Sequence, residues 1–226
     1  IIRLWDIDGE NPHVPDQSEI DTLLPEVGYE KIQMDGNNVT LLDGCTLDLG
    51  AVGKGMGCDL IMDYLRSQPD VSGMILNLGG SSVMTYGEKP DGSPWKVALT
   101  DPRDTEGDYL GAITLDANQF LSTSGDYEKY FIEDGIRYHH ILDPKTGYPV
   151  QNGLTSVTIV CDQGYLADGL STASTEGAFI KNRISASPHS RYSATSGTHS
   201  SHTILTPALK PARTRSGLSA PRFWPV

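Results

Sequence analysis

The amino-acid sequence predicts an α+β fold, with several strands in mixed sheets and few helices. The chain has 226 residues, of which 38% are hydrophobic and 20% are charged, so it is long enough to bury a sizeable core. Short runs rich in β-branched and aromatic residues alternate with turns, whereas only two segments show helical periodicity. Strands that outnumber helices in this way favour α+β over a doubly wound parallel sheet.

The strand candidates are short apolar runs bounded by Gly, Pro and Asp, which is typical of strands joined by tight turns. Turns such as EKPDGSP and DPKTG separate them. The predicted strands are residues 39–43, 73–79, 95–101, 110–116, 137–143 and 154–161.

Two segments predict helices, one from Lys54 to about Arg66 and a shorter one from about Tyr165 through Ala173. In the first segment apolar residues recur at helical spacing, so we expect them to face the core. This apolar stripe consists of Met56, Leu60, Ile61, Tyr64 and Leu65.

The chain carries a formal charge of −12, from 17 basic and 29 acidic residues. This balance argues against nucleic acid or an anionic membrane surface as the main partner. No apolar run has the length of a membrane span, and the opening IIRLWDIDGENPHVP is not a signal segment. We expect any signal peptide or lipid-anchoring cysteine to lie outside this sequence.

Three cysteines, Cys45, Cys58 and Cys161, are odd in number and widely spaced, and they include no CxxC pair. Their spacing predicts neither a disulfide framework nor a zinc site. We interpret all three as small residues of the core.

The charge distribution divides the chain after Glu176, the last acidic residue. Residues 1–176 hold 10 basic and 29 acidic side chains, whereas residues 177–226 hold 7 basic side chains and no acidic one. The second segment is rich in Ser, Thr, Ala, Pro and Arg and shows no reliable period. We predict a domain over 1–176 and a basic Ser/Pro-rich tail, disordered or non-native, over 177–226. The scattered charges of the tail do not predict nucleic-acid binding.

The stretch DLGAVGKGMGCD places Lys54 in the first turn of the first predicted helix. A lysine at this positive end of the helix dipole costs about 0.3–1 kcal/mol at a surface, and an anionic ligand would offset that cost. The spacing excludes a P-loop, because Asp48 and Gly55 stand where that motif needs Gly and Ser or Thr. Two interpretations stay open, a phosphate contact and a plain strand-to-helix turn with a solvated lysine.

Gly79 and Gly80 follow an apolar strand in LNLGGSSVMTYG. Their missing side chains would admit a flat ring or a phosphate, although paired glycines also mark bulges and turns.

His139 and His140 are adjacent in a predicted strand, so their side chains point to opposite faces. One of them is then free to pack in the core while the other faces a site, although a lone strand histidine is often structural. The following DPKTG has the composition of a turn, with Asp first and Pro second.

Asp168 and Thr172 lie four residues apart in ADGLSTA and therefore share one helix face. A carboxylate and a hydroxyl are hard oxygen donors that suit Mg²⁺. A helix cap or a solvated face is the alternative interpretation.

Five motifs in order, LDLGAVGKGMGCD, LNLGGS, STSGDYEKYF, HHILDPKTGYP and ADGLSTA, together resemble the FAD:protein FMN transferase (ApbE) family. The resemblance covers roughly residues 1–173. It implies a mixed-sheet, T-fold-like domain, and we expect that domain to be incomplete at its N-terminus because family members carry a substantial N-terminal part. Family members also continue ADGLSTA as an apolar helix, so we expect this chain's second helix to lose its packing after Ala173.

The resemblance implies Mg²⁺-dependent transfer of FMN from FAD to a threonine of a target flavoprotein, with release of AMP. The implied targets are subunits of membrane redox complexes, and the implied location is extracytoplasmic, either periplasmic or membrane-anchored as a lipoprotein. Two alternatives remain open. The chain is a Mg²⁺-dependent FAD pyrophosphatase that uses water as acceptor, or it is an inactive flavin-binding fragment.

The resemblance also assigns roles to single residues. His140 matches a histidine that we interpret as the general base for the acceptor threonine. The implied FAD-binding residues are Asp48, Lys54, Gly79, Gly80 and Ile141, the last packing along the flavin. The implied metal ligands are the backbone carbonyl of Ala51 and the side chains of Asp168 and Thr172.

Overall fold

A computed structural model describes residues 1–103, 109–176 and 203–205, the last three as backbone. In chain order the helices are α1 Ile2–Trp5, α2 Gln17–Leu23, α3 Gly53–Arg66 and α4 Gly164–Thr175. The strands are β1 Ile32–Asp35, β2 Asn38–Leu41, β3 Gly73–Leu78, β4 Ser82–Gly87, β5 Trp95–Thr100, β6 Tyr109–Leu115, β7 Phe120–Gly125, β8 Tyr130–Glu133, β9 Ile136–His139, β10 Ser156–Cys161 and β11 Thr203–Leu205. The α+β class is confirmed.

The chain forms two compact units. The first unit contains residues 1–49 and 126–152, and the second contains residues 50–125 and the chain from residue 153 onward. The second unit is built on a five-stranded sheet in the order β11-β10-β7-β4-β3. Neighbours from β3 to β10 are antiparallel, and β11 is parallel to β10.

Alternation of side chains along the strands gives the central sheet two apolar faces. On one face, Met84, Phe120 and Ile159 form a core with α3 and α4. On the other face, the adjacent residues Val83, Leu121 and Val160 pack with the β5–β6 hairpin. The second unit therefore has three layers, with two helices, a central sheet and a hairpin.

The first unit packs around Trp5, which is completely buried. Its indole Nε1 donates a hydrogen bond of 2.8 Å to the carbonyl of Gly147. The rings of Phe131, Tyr138 and Tyr148 surround it, with centroids 5.3–6.5 Å from that of Trp5. Two antiparallel hairpins, β1–β2 and β8–β9, complete this unit.

All six predicted strand segments contain a strand, and both predicted helices are present within one or two residues. The segment 137–143 is shorter than expected, because its strand ends at His139. The sequence did not predict β1, β4, β7, β8, the short N-terminal helices or β11, which pairs with β10 although it lies in the predicted tail. The strands β4 and β7 carry the sequences SVMTYG and FLSTSG, in which Ser and Gly interrupt the strand-forming residues Val, Tyr, Phe and Thr, so neither is a clear apolar run.

The predicted apolar stripe of α3 is wrong in three of its members. Met56, Leu60 and Tyr64 are exposed, at 47%, 71% and 63%, while Leu65 is buried and Ile61 is partly buried against the core. The buried face instead consists of Gly55, Cys58, Met62 and Leu65. Close contact with α4 selects small residues at the start of this face, so bulky apolar residues do not identify it.

The contact between α3 and α4 is made by two glycines. A Cβ atom on Gly55 would lie 2.1 Å from the carbonyl oxygen of Gly164, and one on Gly164 would lie 2.2 Å from the carbonyl oxygen of Gly55. Both helices therefore begin in direct backbone contact, which no residue with a side chain permits.

The interpretation of the cysteines as core residues is confirmed for Cys58 and Cys161, whereas Cys45 is only half-buried. Burial raises the pKa of the thiols of Cys58 and Cys161 to about 11. All three thiols are free.

The second helix, α4, continues to Thr175 and buries Ser174 and Thr175, so its packing extends two residues past Ala173. The expectation that it loses its packing further along falls on residues after Glu176, which lie outside the described part of the chain. The predicted tail, apart from the backbone of β11, lies outside the described residues. Within the part of the chain that is described, no helix has the length and apolarity needed to cross a membrane.

We predict opposite effects of alanine at two glycines of α3. Gly55→Ala should lower the free energy of unfolding by roughly 3 kcal/mol, because its methyl group overlaps a backbone carbonyl. Gly57→Ala should raise it by about 0.5–1 kcal/mol, since alanine is the better helix former and its Cβ would meet only Leu78 at 3.7 Å. Urea denaturation of both variants measures the difference, and equal effects would contradict the close helix contact.

Candidate active site

The first turn of α3 is capped by a side chain from α4. The residue before this helix, Val52, has no side chain that accepts a hydrogen bond, so the first amides need another partner. The Gly55 N–H donates to Asp168 Oδ2 at 2.9 Å, in the way that an N-cap carboxylate usually serves its own helix. Asp168 therefore stabilises the helix start that carries Lys54.

The first turn of α4 is capped by α3 in return. Here Gln163 provides no side-chain cap, and the amides of Gly164 and Tyr165 donate to the two carboxylate oxygens of Asp59 at 2.7 and 2.8 Å. Each helix thus supplies the cap of the other, beside the glycine contact that joins them.

The carboxylate of Asp168 is buried, with 5% of its surface exposed. Its Oδ1 accepts hydrogen bonds from the hydroxyls of Ser122 at 2.8 Å and Ser82 at 3.4 Å. Every hydrogen bond that it accepts within the described residues comes from a neutral donor. A buried carboxylate without a cationic side chain is a suitable ligand for a metal ion.

Thr172 lies on the same face of α4, as the sequence predicts. Its hydroxyl lies 3.1 Å from Ser124 Oγ and donates to the Asp168 carbonyl at 3.4 Å. Ser124 Oγ in turn lies 2.8 Å from Ser171 Oγ. A layer of hydroxyls from the sheet and from α4 therefore extends from the Asp168 carboxylate to Thr172.

This donor set fits Mg²⁺, because it offers a carboxylate and hydroxyls and no soft ligand. Mg²⁺ is usually held by one or two carboxylates together with water and substrate phosphates. Among the residues that the structure describes, no three His, Cys, Asp or Glu side chains form a metal-binding cluster. A cation at Asp168 therefore needs oxygen ligands from hydroxyls, carbonyls, water or a bound phosphate.

Lys54 reaches the glycine turn between β3 and β4. Its Nζ donates a hydrogen bond to Ser81 Oγ, and Ser81 follows Gly79 and Gly80 directly. Both glycines have positive φ, 66° and 81°, so this pair forms a turn. Nothing lies within 4 Å of the position where either would carry a Cβ, which leaves open space beside the backbone.

The structure thus brings three of the sequence motifs together in the second unit. Lys54 contacts Ser81. Gly55, which follows Lys54, and Ser82, which follows Ser81, both contact Asp168. Ala51 lies in the turn that leads into α3. Its role as a metal ligand stays a prediction.

The remaining candidates lie in the first unit. Asp48 lines a pocket of about 510 Å³, which is within the size range of small-molecule sites. Leu142 and Asp143, from the motif HHILDPKTGYP, line the same pocket. Ile141 is 3% exposed and belongs to the core, whereas Leu142 and Pro144 present apolar surface to the pocket.

The two histidines differ in burial, although only His139 lies in the strand, so strand alternation does not account for the difference. His139 is buried, its Nε2 lies 2.8 Å from the Val150 carbonyl, and its Nδ1 accepts from the Ile141 amide at 3.3 Å. His139 is therefore a packed, structural residue. His140 is half-buried just beyond the end of β9, with Nδ1 3.3 Å from the Lys129 carbonyl. Burial lowers the pKa of His140, which favours the neutral imidazole.

Sequence reasoning missed Asp59 and the serines that surround Asp168. One signal for them is present in the sequence, because GMGCD at the start of α3 and GYLAD at the start of α4 share the pattern G-x-x-x-D. Another is the pair Ser122 and Ser124, which alternate along β7 and so face the same side.

The solved α+β structures to which this chain is similar include flavin transferases. The chain belongs to the ApbE family, because the model of the family described as "ApbE family" matches residues 1–176. The resemblance expected from the five motifs is thereby confirmed.

Relatives and solved structures agree with this assignment. Proteins named FAD:protein FMN transferase are 38% identical over 71% of this chain in Klebsiella pneumoniae strain 342 and 34% identical over 76% of it in Vibrio cholerae. These matches cover 49% and 52% of those proteins, so the chain spans about half the length of the curated relatives it matches. The ApbE protein of Thermotoga maritima matches with a TM-score of 0.73 and 37% identity, over 81% of this chain and 59% of that one.

We predict that Asp168→Ala destabilises the fold. It removes the acceptor of the buried Gly55 amide and of the Ser122 hydroxyl, and each unpaired buried group costs about 1–3 kcal/mol. The free energy of unfolding should fall by roughly 3 kcal/mol. The matched control, Asp63→Ala, removes an exposed carboxylate that forms an ion pair with Arg66 on the same helix, so it should cost about 0.5 kcal/mol or less. Urea denaturation that gives equal values for both would contradict the capping role.

We predict that stability falls on acidification in part through His140. Its folded pKa lies below the ordinary value of 6.5, so below pH 6.5 the unfolded state binds a proton that the folded state resists. The contribution is fully present above pH 6.5 and is lost as the pH falls toward the folded pKa. The loss of unfolding free energy between pH 7.5 and 5.5 should be smaller for His140→Gln than for the parent protein. An identical loss would contradict the lowered pKa.

Proposed function

We propose that this chain binds FAD together with Mg²⁺ and transfers the FMN moiety to a threonine of a target flavoprotein, releasing AMP. The observation that carries the proposal is the convergence at the start of α3, where Lys54, the turn after Gly79 and Gly80, and the Asp168 carboxylate meet. A cation, open backbone and a buried carboxylate are what a pyrophosphate–Mg²⁺ pair requires. The names of the relatives, FAD:protein FMN transferase, support a flavin as the ligand.

In the proposed reaction, the threonine oxygen attacks the phosphorus of the FMN half. The new P–O ester bond forms as the pyrophosphate P–O bond breaks, and AMP leaves with the bridging oxygen. The threonine proton passes to a general base, the role that the family resemblance assigns to His140, whose lowered pKa leaves its imidazole neutral at pH 7 and so able to accept a proton. Lys54 balances the negative charge that develops on the phosphate oxygens.

Bound Mg²⁺, held by Asp168, Thr172 and the carbonyl of Ala51, would supply further charge stabilisation on the pyrophosphate. The chain's own contribution is to hold these ligands in place. The hydroxyls of Ser122 and Ser82 fix the orientation of the Asp168 carboxylate before any ligand arrives.

We propose that the pocket lined by Asp48 and Leu142 is a ligand site of the first unit. The pocket wall is mostly apolar, with aliphatic side chains from α1, α2, β1 and the segment after Ile141. Such a wall suits a flat ring system, and a carboxylate at its edge can accept hydrogen bonds from a ligand.

We further propose subunits of membrane redox complexes as the targets, and an extracytoplasmic setting, periplasmic or membrane-anchored. Membership of the ApbE family is the support for both.

The proposal predicts FAD binding that needs both Mg²⁺ and Lys54. Titration calorimetry of the chain with FAD should show binding that strengthens with Mg²⁺. Lys54→Ala should weaken the binding about tenfold, because loss of one charge-assisted contact to phosphate is worth about 1.4 kcal/mol. The matched control is Lys96→Ala, which removes an exposed lysine on β5. Equal binding by both variants would argue against the site at α3.

The products then separate the candidate reactions. Incubation with FAD, Mg²⁺ and a threonine-bearing target should release AMP and leave FMN on the target. FMN and AMP released free in the absence of a target would instead indicate a pyrophosphatase. Binding without either product would indicate a flavin-binding fragment, and no binding at all would contradict the proposed function.

A further inference from the structure

We propose that Asp59 is a positioning residue for the metal site. It caps α4 and so holds Asp168 against the first turn of α3. The inference rests on the proposed function, since that function makes Asp168 a Mg²⁺ ligand. It adds a residue to which neither the sequence motifs nor the names of the relatives give a role.

Asp59 makes a bidentate cap. Its two carboxylate oxygens accept from consecutive amides, Gly164 at 2.7 Å and Tyr165 at 2.8 Å, at the positive end of α4. Asp59 is half-buried between the helices. Both of its oxygens are thus engaged by backbone, which indicates that it acts through α4 rather than on a ligand.

The two helix starts are related by a local twofold pattern. In α3, Gly55 precedes Asp59 by four residues, and in α4, Gly164 precedes Asp168 by four. Each glycine donates its N–H to the aspartate of the other helix, at 2.9 Å and 2.7 Å. Four residues are about one helical turn, so in each helix the glycine and the aspartate share the face that meets the partner helix.

The two halves of this pattern have different surroundings. Asp168 also touches the hydroxyls of Ser82 and Ser122, whereas Asp59 bonds only to the amides of α4 within the described residues. Asp168 therefore belongs to the candidate site, whereas Asp59 fixes the helix that carries Asp168. Without the Asp59 cap, the amides of Gly164 and Tyr165 lose the carboxylate that accepts from them, and Asp168 lies one turn further along the same helix.

The test compares Asp59→Asn with Asp63→Asn in the full chain. Both variants remove one negative charge from α3, but Asp63 is exposed and pairs with Arg66. The asparagine introduced by Asp59→Asn keeps the shape of the side chain, but its single carbonyl oxygen can accept from only one of the two amides. Mg²⁺ alone is titrated into each protein and followed by backbone amide NMR, and hydrogen exchange is measured at Gly55, Gly164 and Tyr165.

We expect Asp59→Asn to weaken Mg²⁺ binding about tenfold, as is usual when a partner that orients a metal ligand is lost. The amides of Gly164 and Tyr165 should exchange faster, and so should the Gly55 amide, because Asp168 no longer holds it. Asp63→Asn should match the parent protein in both measurements. Asp59→Glu, which restores the carboxylate, should recover part of the affinity, and it also serves as the second variant if Asp59→Asn does not fold.

The outcomes distinguish this inference from the proposed function. If the parent protein binds Mg²⁺ and Asp59→Asn binds it within twofold, Asp59 is only a structural cap and the inference is overturned, while the proposed function stands. If the parent protein does not bind Mg²⁺, the metal part of the proposed function fails and the inference fails with it. Tenfold weaker binding together with faster exchange at Gly55 supports both.

Discussion

The start of α3 and the start of α4 meet at two glycines, and the geometry of the second unit depends on that contact. A backbone amide that is buried without an acceptor costs about 1–3 kcal/mol, so two helix ends in direct contact need acceptors within reach. Because Gly55 and Gly164 have no side chains, the helices approach closely enough for each aspartate to reach across. The same approach excludes bulky residues from this part of the interface.

The sheet below the helices is polar where the helix ends lie and apolar elsewhere. Ser82 and Ser122 face one another across β4 and β7 and meet the Asp168 carboxylate. Phe120, two residues before Ser122 on the same face, belongs to the apolar core beneath α3 and α4. One sheet face therefore carries both the core that stabilises the helices and the hydroxyls that orient the candidate ligand.

Local patterns predicted much of this structure. The helix periods and the turn residues predict α3, α4 and six strand segments, and the adjacent histidines predict that one of them packs, as His139 does. The order of five short motifs predicts the family. Each of these signals lies within a short stretch of the chain. It can therefore be interpreted from the sequence without knowledge of the tertiary contacts.

Features that depend on tertiary contact were not predicted. The buried face of α3 is the face that fits against α4. The large apolar residues Met56, Leu60 and Tyr64 are exposed, so the apolar pattern of the sequence does not identify that face. The strands β4 and β7 lack a clear apolar run, because Ser and Gly interrupt their strand-forming residues, and both lie between other strands of the central sheet. The cap of each helix comes from a residue more than 100 positions away, which no local pattern describes.

The mutual caps also bear on how the chain folds. The hydrogen bonds between the helices close loops of 113 and 105 residues, and forming a loop of that size costs roughly 4 kcal/mol in chain entropy. Such distant contacts form slowly, after the strands between them have paired. During synthesis on the ribosome, α3 emerges long before Asp168 does. Its glycine-rich first turn then stays frayed until α4 is made, so the lysine and the carboxylate of the site acquire their final positions in one late step.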